Sequence, residues 1–247
     1  MLRPWQSTEG LVMSSEQKVA IITGASQGIG AGLVRAYRDR NYRVVANSRS
    51  IEPGADAEVL AVAGDISEPE TAEQIVRAAL ERFGRIDALV NNAGIFLSKP
   101  FIEFSQDDYA RNMAVNVAGF FHITQRAAAE MLKQGSGHIV QVSSIGGISA
   151  FGGIGIYHAS KWALEGFSQA LAQEVAGFGI KVTLIEPGGF STDWGGASAK
   201  RAAENPLAAM RRAGNPEHDR RREFASLTAE ATLCRSPRMS VISLASM

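Results

Sequence analysis

Cysteine is almost missing from this 247-residue chain: Cys234 stands alone, so neither an internal disulfide nor a cysteine-based metal cluster can form. Histidine is scarce as well. His122, His138, His158 and His218 show neither HxxxH nor HExxH spacing, so the sequence makes no case for a metal site. Charge of one sign is not in excess, with 25 Lys plus Arg against 25 Asp plus Glu, and no global field draws the protein to nucleic acid or an anionic membrane. A local basic run, "DRRRE" at 219–223, reads as part of a solvated tail. No apolar stretch approaches the roughly 18 residues needed to span a bilayer. The opening "MLRPWQSTEGLVMSSEQ" lacks the apolar centre of a secretory signal. It reads as a flexible leader over residues 1–17, and a cytoplasmic location is the expectation.

What is present is a hydrophobic content of 45% with 20% charged residues, enough for a soluble globular core. From Lys18 onward, short runs rich in Val, Ile, Leu and Ala alternate with helical patterns. The runs are 19–23, 42–47, 58–65, 86–92, 138–144 and 181–187. Their near-continuous apolar character suits parallel strands buried on both faces. Between them, Ile29, Leu33 and Tyr37 form one stripe at four-residue steps. Ser67 and Glu70 have capping-box spacing, and Gly84 supplies a stop for the helix they open. Longer helices are expected over about 105–134 and 157–177. Strand and helix in repetition imply right-handed crossovers and an α/β fold with a doubly wound parallel sheet in a single domain, residues 18–247.

"TGASQGIG" (23–30) follows the first run and opens the first helix. Free N–H groups and the helix dipole make such a junction an anion site, and Gly24, Gly28 and Gly30 let the backbone approach a pyrophosphate. The TGxxxGxG spacing matches neither GxGxxG nor the GxxxxGK[ST] of phosphate-transferring loops. Glycine-rich loops in this place also serve methyltransferases, so the loop alone does not name the chemistry. The second run ends in "NSRS", where dinucleotide folds that select a 2′-hydroxyl carry a carboxylate. Ser48 stands there instead and Arg49 follows, a side chain able to grip a phosphate through two hydrogen bonds. That favours NADPH over NADH, with NAD(H) remaining possible. Asp65 either accepts from the adenine amine or starts the turn before the next helix.

In "YHASK" (157–161) a phenol and an ammonium lie four positions apart, one helical turn. Free tyrosine titrates near pH 10, and a cation within about 4–6 Å can lower such a value by roughly 1–3 units. Tyr157 and Lys161 are therefore expected to act as a tuned acid/base pair. His158 is expected to be a helix residue without a catalytic part, and Trp162 to belong to a packing or subunit face.

Taken in order, "TGASQGIG", "NNAG" (91–94), Ser144, "YHASK" and "PGGFST" (187–192) give a chain that resembles the short-chain dehydrogenase/reductase family over roughly residues 18–196. Each motif alone is weak; the ordered set is specific. The resemblance implies a Rossmann-like fold and hydride transfer between a nicotinamide cofactor and a carbonyl or alcohol. Its catalytic set would be Asn116, Ser144, Tyr157 and Lys161, with Ser143 the sequence rival of Ser144. Only the thirteen-residue separation from Tyr157 selects between the two serines. Lys161 would also hold the nicotinamide ribose, and Asn116 would polarise a helix carbonyl and hold a water leading to Lys161. The implied cofactor contacts are Gly24, Ser26, Gln27, Gly28, Ile29 and Gly30; Ser48 and Arg49; Asp65 and Ile66; Asn92, Ala93 and Gly94; Tyr157 and Lys161; and Pro187, Gly188, Phe190 and Thr192. No metal is implied.

Residues expected near the substrate are mostly apolar: Phe96, Ile145, Phe151, Ile154, Phe190 and Trp194. They suit a neutral, partly hydrophobic carbonyl compound or alcohol. A homotetramer or homodimer built on the two long helices is expected, with no nucleic-acid or membrane partner. The departure from the family lies at 196–247, where only "MSVISLA" is a strand candidate. The leading reading is an NADPH-dependent ketone or aldehyde reductase that also runs in reverse. An NAD-dependent alcohol dehydrogenase, a non-catalytic dinucleotide sensor and, more distantly, a methyltransferase are its alternatives.

Overall fold

The computed structural model describes residues 17–188, 200–201 and 239–244. Most of the leader, Phe190, Thr192 and Trp194, and the basic tail with Cys234 lie outside the described residues.

The first strand, β1, runs Val19–Thr23 with every residue buried. It is followed by α1 (Gly28–Arg38), β2 (Arg43–Ser48), β3 (Val59–Ala63), α2 (Pro69–Phe83) and β4 (Ala88–Asn91). A short β5 (Leu97–Ser98) leads into α3 (Gln106–Met113), a π-helical segment at Ala114–Gly119 and α4 (Phe120–Gln134). Then come β6 (Gly137–Val142), a single 3-10 turn at Ile145–Gly147, α5 (Gly155–Val175), β7 (Ile180–Pro187), β8 (Lys200–Arg201) and β9 (Met239–Leu244). Seven strands form one sheet in the order β3-β2-β1-β4-β6-β7-β9, all parallel, with β5 and β8 paired apart from it. The strand candidate near the C-terminus is thus the seventh strand over Met239–Leu244, with Val182↔Met239 through Pro187↔Leu244 in register beside β7.

The apolar runs are continuous because the sheet is covered on both faces. Ile21, Val45 and Leu89 face one cluster with Ile75 of α2, Ile123 and Met131 of α4, and Val175 of α5. Ile22, Val44, Ala46 and Val90 face the other, where Leu33, Val34 and Tyr37 of α1 pack against them. Complete burial of an isoleucine or leucine contributes about 1.5–3 kcal/mol, and Ile21, Ile22, Ile75 and Leu89 are all fully buried. Leu33 and Tyr37 keep the expected stripe, whereas Ile29, in the first turn of α1, lines the cleft described below.

Two local expectations are corrected. Ser67 does not cap α2: the helix starts at Pro69 after Glu68, with no side-chain cap. Ser67 instead turns to Asp65, whose Oδ1 accepts from Ser67 N (3.0 Å) and Ser67 Oγ (2.7 Å). Proline at the first helical position sets the start, and the Asp65 turn captures the serine hydroxyl. The expected long helix over 105–134 is two α-helices joined by a π segment. Its start is the stronger cap, Ser105 and Asp108 forming a reciprocal capping box. Gly84 closes α2 in the left-handed region, φ 79°.

Strand order reverses between β1 and β4, since β2 and β3 build outward on one side and β6, β7 and β9 on the other. Open α/β sheets bind ligands at that crevice, outside the carboxyl ends of the strands.

Candidate active site

A cleft of about 340 Å³ lies at the carboxyl ends of β1, β2, β4 and β6. At one end are Gly24, Ser26, Gln27, Gly28, Ile29 and Gly30, with Ser48, Arg49, Asp65 and Ile66 beside them. Asn92, Ala93 and Gly94 line its middle, and Ser144, Tyr157, Lys161, Pro187 and Gly188 its far end. Asn116 stands just behind that surface. Phe190 and Thr192 lie outside the described residues.

The glycine-loop end is built from backbone. Gly24 has φ +66°, and a Cβ there would fall 2.9 Å from Ala93 Cα. A Cβ on Gly30 would fall 2.0 Å from Gly24 O. Thr23 Oγ1 accepts from the N–H groups of Asn92 and Ala93, both at 3.0 Å, and Asn92 Nδ2 donates to Thr23 O (3.0 Å) and Gly24 O (3.2 Å). The Asn92 amide therefore braces the loop from behind. α1 begins at Gly28 after Gln27 with no side-chain cap, so its first N–H groups stand open at the cleft. Ser48 Oγ is buried without a hydrogen-bond partner, and exposed Arg49 has no ion-pair partner among the described residues. A tight glycine cradle, an open helix N-terminus, an orphan hydroxyl and an uncommitted guanidinium fit a phosphate-bearing dinucleotide.

Asp65 lines the cleft and makes the turn to Ser67. Its carboxylate accepts from Ser67 and from Arg111 of α3. Burial raises its pKa, but the hydrogen bonds from Arg111 and Ser67 outweigh that and hold the carboxyl below the usual range. Arg111 also donates to Ser67 Oγ (2.8 Å), tying α3 to the turn after β3. Sequence reading missed Arg111, and no spacing rule points to it.

At the other end side chains dominate. Helical spacing aligns Tyr157, Lys161 and Glu165 on one buried face of α5, and all three are at most 7% exposed. The Tyr157 hydroxyl meets Ser144, whose Oγ also accepts from Gly146 N at 3.0 Å and caps the 3-10 turn. Phe96 stands edge-on to the Tyr157 ring, centroids 5.3 Å apart. Lys161 Nζ donates to Val142 O at 2.8 Å and lies 5.8 Å from the Tyr157 ring centroid. Ser143, the rival serine, also borders the cleft but is buried, and its hydroxyl lies close enough to Glu165 to stabilise that carboxylate.

Here the tuned-pair expectation is corrected. Burial pushes the Tyr157 phenol up to about 12, with the hydrogen bond to Ser144 pulling the other way. Burial likewise pushes the Lys161 ammonium down to about 8, with the Glu165 charge pulling it back up. Desolvation disfavours whichever form is charged, and at Tyr157 it exceeds the pull of the Ser144 hydrogen bond. At neutral pH the Tyr157 phenol holds its proton.

Asn116 occupies the π segment, a helix irregularity that recurs at functional sites. Its Nδ2 donates to Ile95 O (2.9 Å) and Ser160 Oγ (3.1 Å), while its Oδ1 accepts from Ile95 N (2.8 Å). Ser160 Oγ in turn donates to Tyr157 O at 2.7 Å. Asn116 and Lys161 flank Gly94, where a Cβ would lie 3.4 Å from Asn116 Oδ1 and 3.9 Å from Lys161 Nζ. His158 is a loop clamp. Its Nε2 accepts from Phe151 N at 2.7 Å, which leaves the proton on Nδ1 to donate to Gly146 O at 2.8 Å. Among the described residues, no group of three or more His, Cys, Asp or Glu is placed to hold a metal ion, and no helix is long and apolar enough to cross a membrane.

A parallel seven-stranded sheet with a glycine cradle at its switch point and a Ser-Tyr-Lys cluster beyond it defines a dinucleotide-dependent oxidoreductase. The short chain dehydrogenase family model matches residues 18–203, and the chain belongs to that family. Solved structures agree. A short-chain dehydrogenase from Streptomyces avermitilis superposes with TM-score 0.76 at 31% identity, covering 93% of this chain and 89% of that one. A gluconate 5-dehydrogenase from Burkholderia cenocepacia, solved with NADP and tartrate, gives 0.69 at 30% identity over 73% and 74% of the two chains. A 3-ketoacyl-(acyl-carrier-protein) reductase from Brucella melitensis, solved with NADH, gives 0.69 at 31% identity over 72% and 78%. The protein is an NAD(P)-dependent oxidoreductase.

Proposed function

We propose that this oxidoreductase is an NADPH-dependent reductase of neutral, partly hydrophobic ketones or aldehydes, able to run in reverse on the alcohols. The observation that carries the reading is the buried Tyr157 hydroxyl, hydrogen-bonded to Ser144 beside Lys161 in the same cleft as the glycine loop. A bound reduced nicotinamide supplies hydride to the carbonyl carbon. The chain's own residues deal with the oxygen. Ser144 donates a hydrogen bond to it, and Tyr157 hands over the proton that burial has kept on its hydroxyl. An ammonium has three donors, and Lys161 spends one on Val142 O, leaving two for a ribose. Asn116 holds the Ile95 backbone and Ser160, and so fixes the π segment against α5.

Ser48 and Arg49 support a 2′-phosphate, since a serine does not repel it and a guanidinium can bind it. Phe96, Ile145, Phe151 and Ile154 do not line the cleft itself, and the apolar substrate rests on their nearness to it: Phe96 packs on Tyr157, and Phe151 lies 5.4 Å from the His158 ring, centroid to centroid. Such a pocket discriminates weakly, about 1–3 kcal/mol per methylene, so the substrate is a class and not one compound. Exposed Phe121 on α4 and Trp162 and Phe167 on α5 support pairing of these helices with a second copy, as a homodimer or homotetramer.

A panel of ketones, aldehydes and alcohols followed at the nicotinamide absorbance band, with NADPH and NADH in parallel, tests the reading. Turnover of carbonyls with NADPH is expected. Arg49→Ala should raise the NADPH KM by about 10- to 100-fold and leave the NADH reaction alone, as befits a charged hydrogen bond of roughly 1.5–3 kcal/mol. Faster turnover with NADH would make the protein an NAD-dependent alcohol dehydrogenase. Cofactor binding with no turnover on any substrate would make it a dinucleotide sensor.

A further inference from the structure

The buried face of α5 continues past the residues that reach the cleft. One turn beyond Lys161 is Glu165, 7% exposed, and from the neighbouring β7 comes Glu186, 5% exposed. Neither lines the cleft. Ser143, 4% exposed, faces Glu165 from the end of β6. Gly147 provides the room: a Cβ there would fall 2.7 Å from Ser143 Oγ and 3.0 Å from Glu165 Oε1. Although the serine hydroxyl is close enough to stabilise the carboxylate, neither Ser143 Oγ nor Glu165 Oε1 makes an aligned hydrogen bond. A buried carboxylate held so loosely is costly unless a charge compensates it. Lys161 is that charge.

We infer that Glu165 is a positioning residue for the reaction: its carboxylate, one turn past Lys161 on the buried face of α5, is the counter-charge that holds Lys161 as an ammonium against Val142 O. Glu186 of β7, also buried, feels the Glu165 charge, which disfavours a second negative charge in the cluster. The role assigned to Lys161 rests on the reductase reading; the electrostatic pairing does not.

The titratable groups facing one another here are Tyr157, Lys161 and Glu165 of α5 and Glu186 of β7. β6 contributes Ser143 and Val142 O, and the turn after it contributes Gly147. Within this set the charges act pairwise. Glu165 favours the Lys161 ammonium, and Lys161 in return favours the Glu165 carboxylate. Two carboxyls beside one ammonium do not both ionise readily. Burial and the Glu165 charge accordingly raise Glu186 to about 7.

The test follows the Lys161 side chain by ¹³C NMR in the full-length, cofactor-free protein, alongside the pH profile of kcat/KM for carbonyl reduction. In Glu165→Gln the Lys161 midpoint should fall from about 8 by roughly one unit, because the charge that favours the ammonium is gone. The alkaline limb of kcat/KM should move down by the same amount, with kcat near pH 6.5 little changed. Glu165→Asp should restore both toward wild type, and Glu165→Met should repeat the Gln result should Gln fail to fold. An unmoved Lys161 midpoint in a folded, charge-free variant overturns the inference. A wild-type enzyme that reduces no carbonyl sinks the reductase reading alone, because the NMR midpoint still reports on the pairing.

Discussion

The two ends of the cleft are made by opposite means. Around Gly24 and Gly30 the surface is main chain: the decisive atoms are ones that are missing, since a methyl group on Gly30 would sit 2.0 Å from a carbonyl oxygen. Around Tyr157 the surface is side chain, and the decisive quantities are protonation states set by burial, a phenol at about 12 and an ammonium at about 8. The first end offers shape, backbone partial charges and one exposed guanidinium, Arg49. At the second, desolvation has displaced the proton affinities of a phenol and an ammonium. A backbone cradle tolerates solvent at its rim, where Ser26 and Gln27 are exposed, whereas those displaced affinities depend on exclusion of water.

Mutations can break that division of labour, and the largest effect should come at the reactive end. Tyr157→Phe should cost about 10²- to 10⁴-fold in kcat, the usual worth of a positioned acid, while dinucleotide affinity measured by fluorescence titration stays within a few-fold of wild type. Next, Gly30→Ala should destabilise the protein by about 1–3 kcal/mol, read from denaturant melts, as overpacking against the backbone does. It should raise cofactor KM about 10-fold or more and leave kcat at saturating cofactor nearly unchanged. If Gly30→Ala instead lowered kcat as Tyr157→Phe does, the two ends would be one cooperative unit.

The smallest effect sharpens the comparison by pH. Glu186 is raised from an ordinary 4.5 to about 7 in the folded protein by burial and by the Glu165 charge. A raised carboxyl binds its proton more tightly when folded, so its stabilisation is complete below about pH 4.5 and is lost as pH rises through about 7. Glu186→Gln removes that loss. The variant should gain about 1–3 kcal/mol on wild type between pH 5 and pH 8, checked by denaturant melts at both values. An equivalent substitution at the solvated rim of the glycine loop has no buried proton to lose and should show no such slope.

Much of the fold was legible because each strand carries its own signal. The run 19–23 is β1 to the residue, and 181–187 differs from β7 by one residue at its start. Both strands are buried on two faces, so their apolar character depends on position in the layer and not on a distant partner. Boundaries were looser where a polar flank was counted in: 58–65 shrank to Val59–Ala63 because Gly64 leaves the strand at φ 156°. The two-residue β5 and β8 have no periodicity to read. Ser67 illustrates a local rule losing to another local rule, since Asp65 two residues back and Pro69 two residues on both compete for the start of α2.

The cleft divides the same way. Glycine spacing and the four-residue steps of α5 are written in the chain, and Glu165, four past Lys161, carried that signal and was passed over. Arg111 and the bracing role of Asn92 carried none. They are functions of which loops the sheet order brings together, α3 onto the turn after β3 and β4 onto β1.

By itself the sequence determined the class of molecule: periodicity specifies layers, glycines specify where backbone must pass closely, and an ordered set of short motifs specifies the chemistry. Tertiary structure alone decided the sign of the Tyr157 shift and the pairing of two acids behind Lys161. The reason is physical. Residue type and spacing are properties of the chain, but the cost of a charge depends on how much water the rest of the fold has removed from around it.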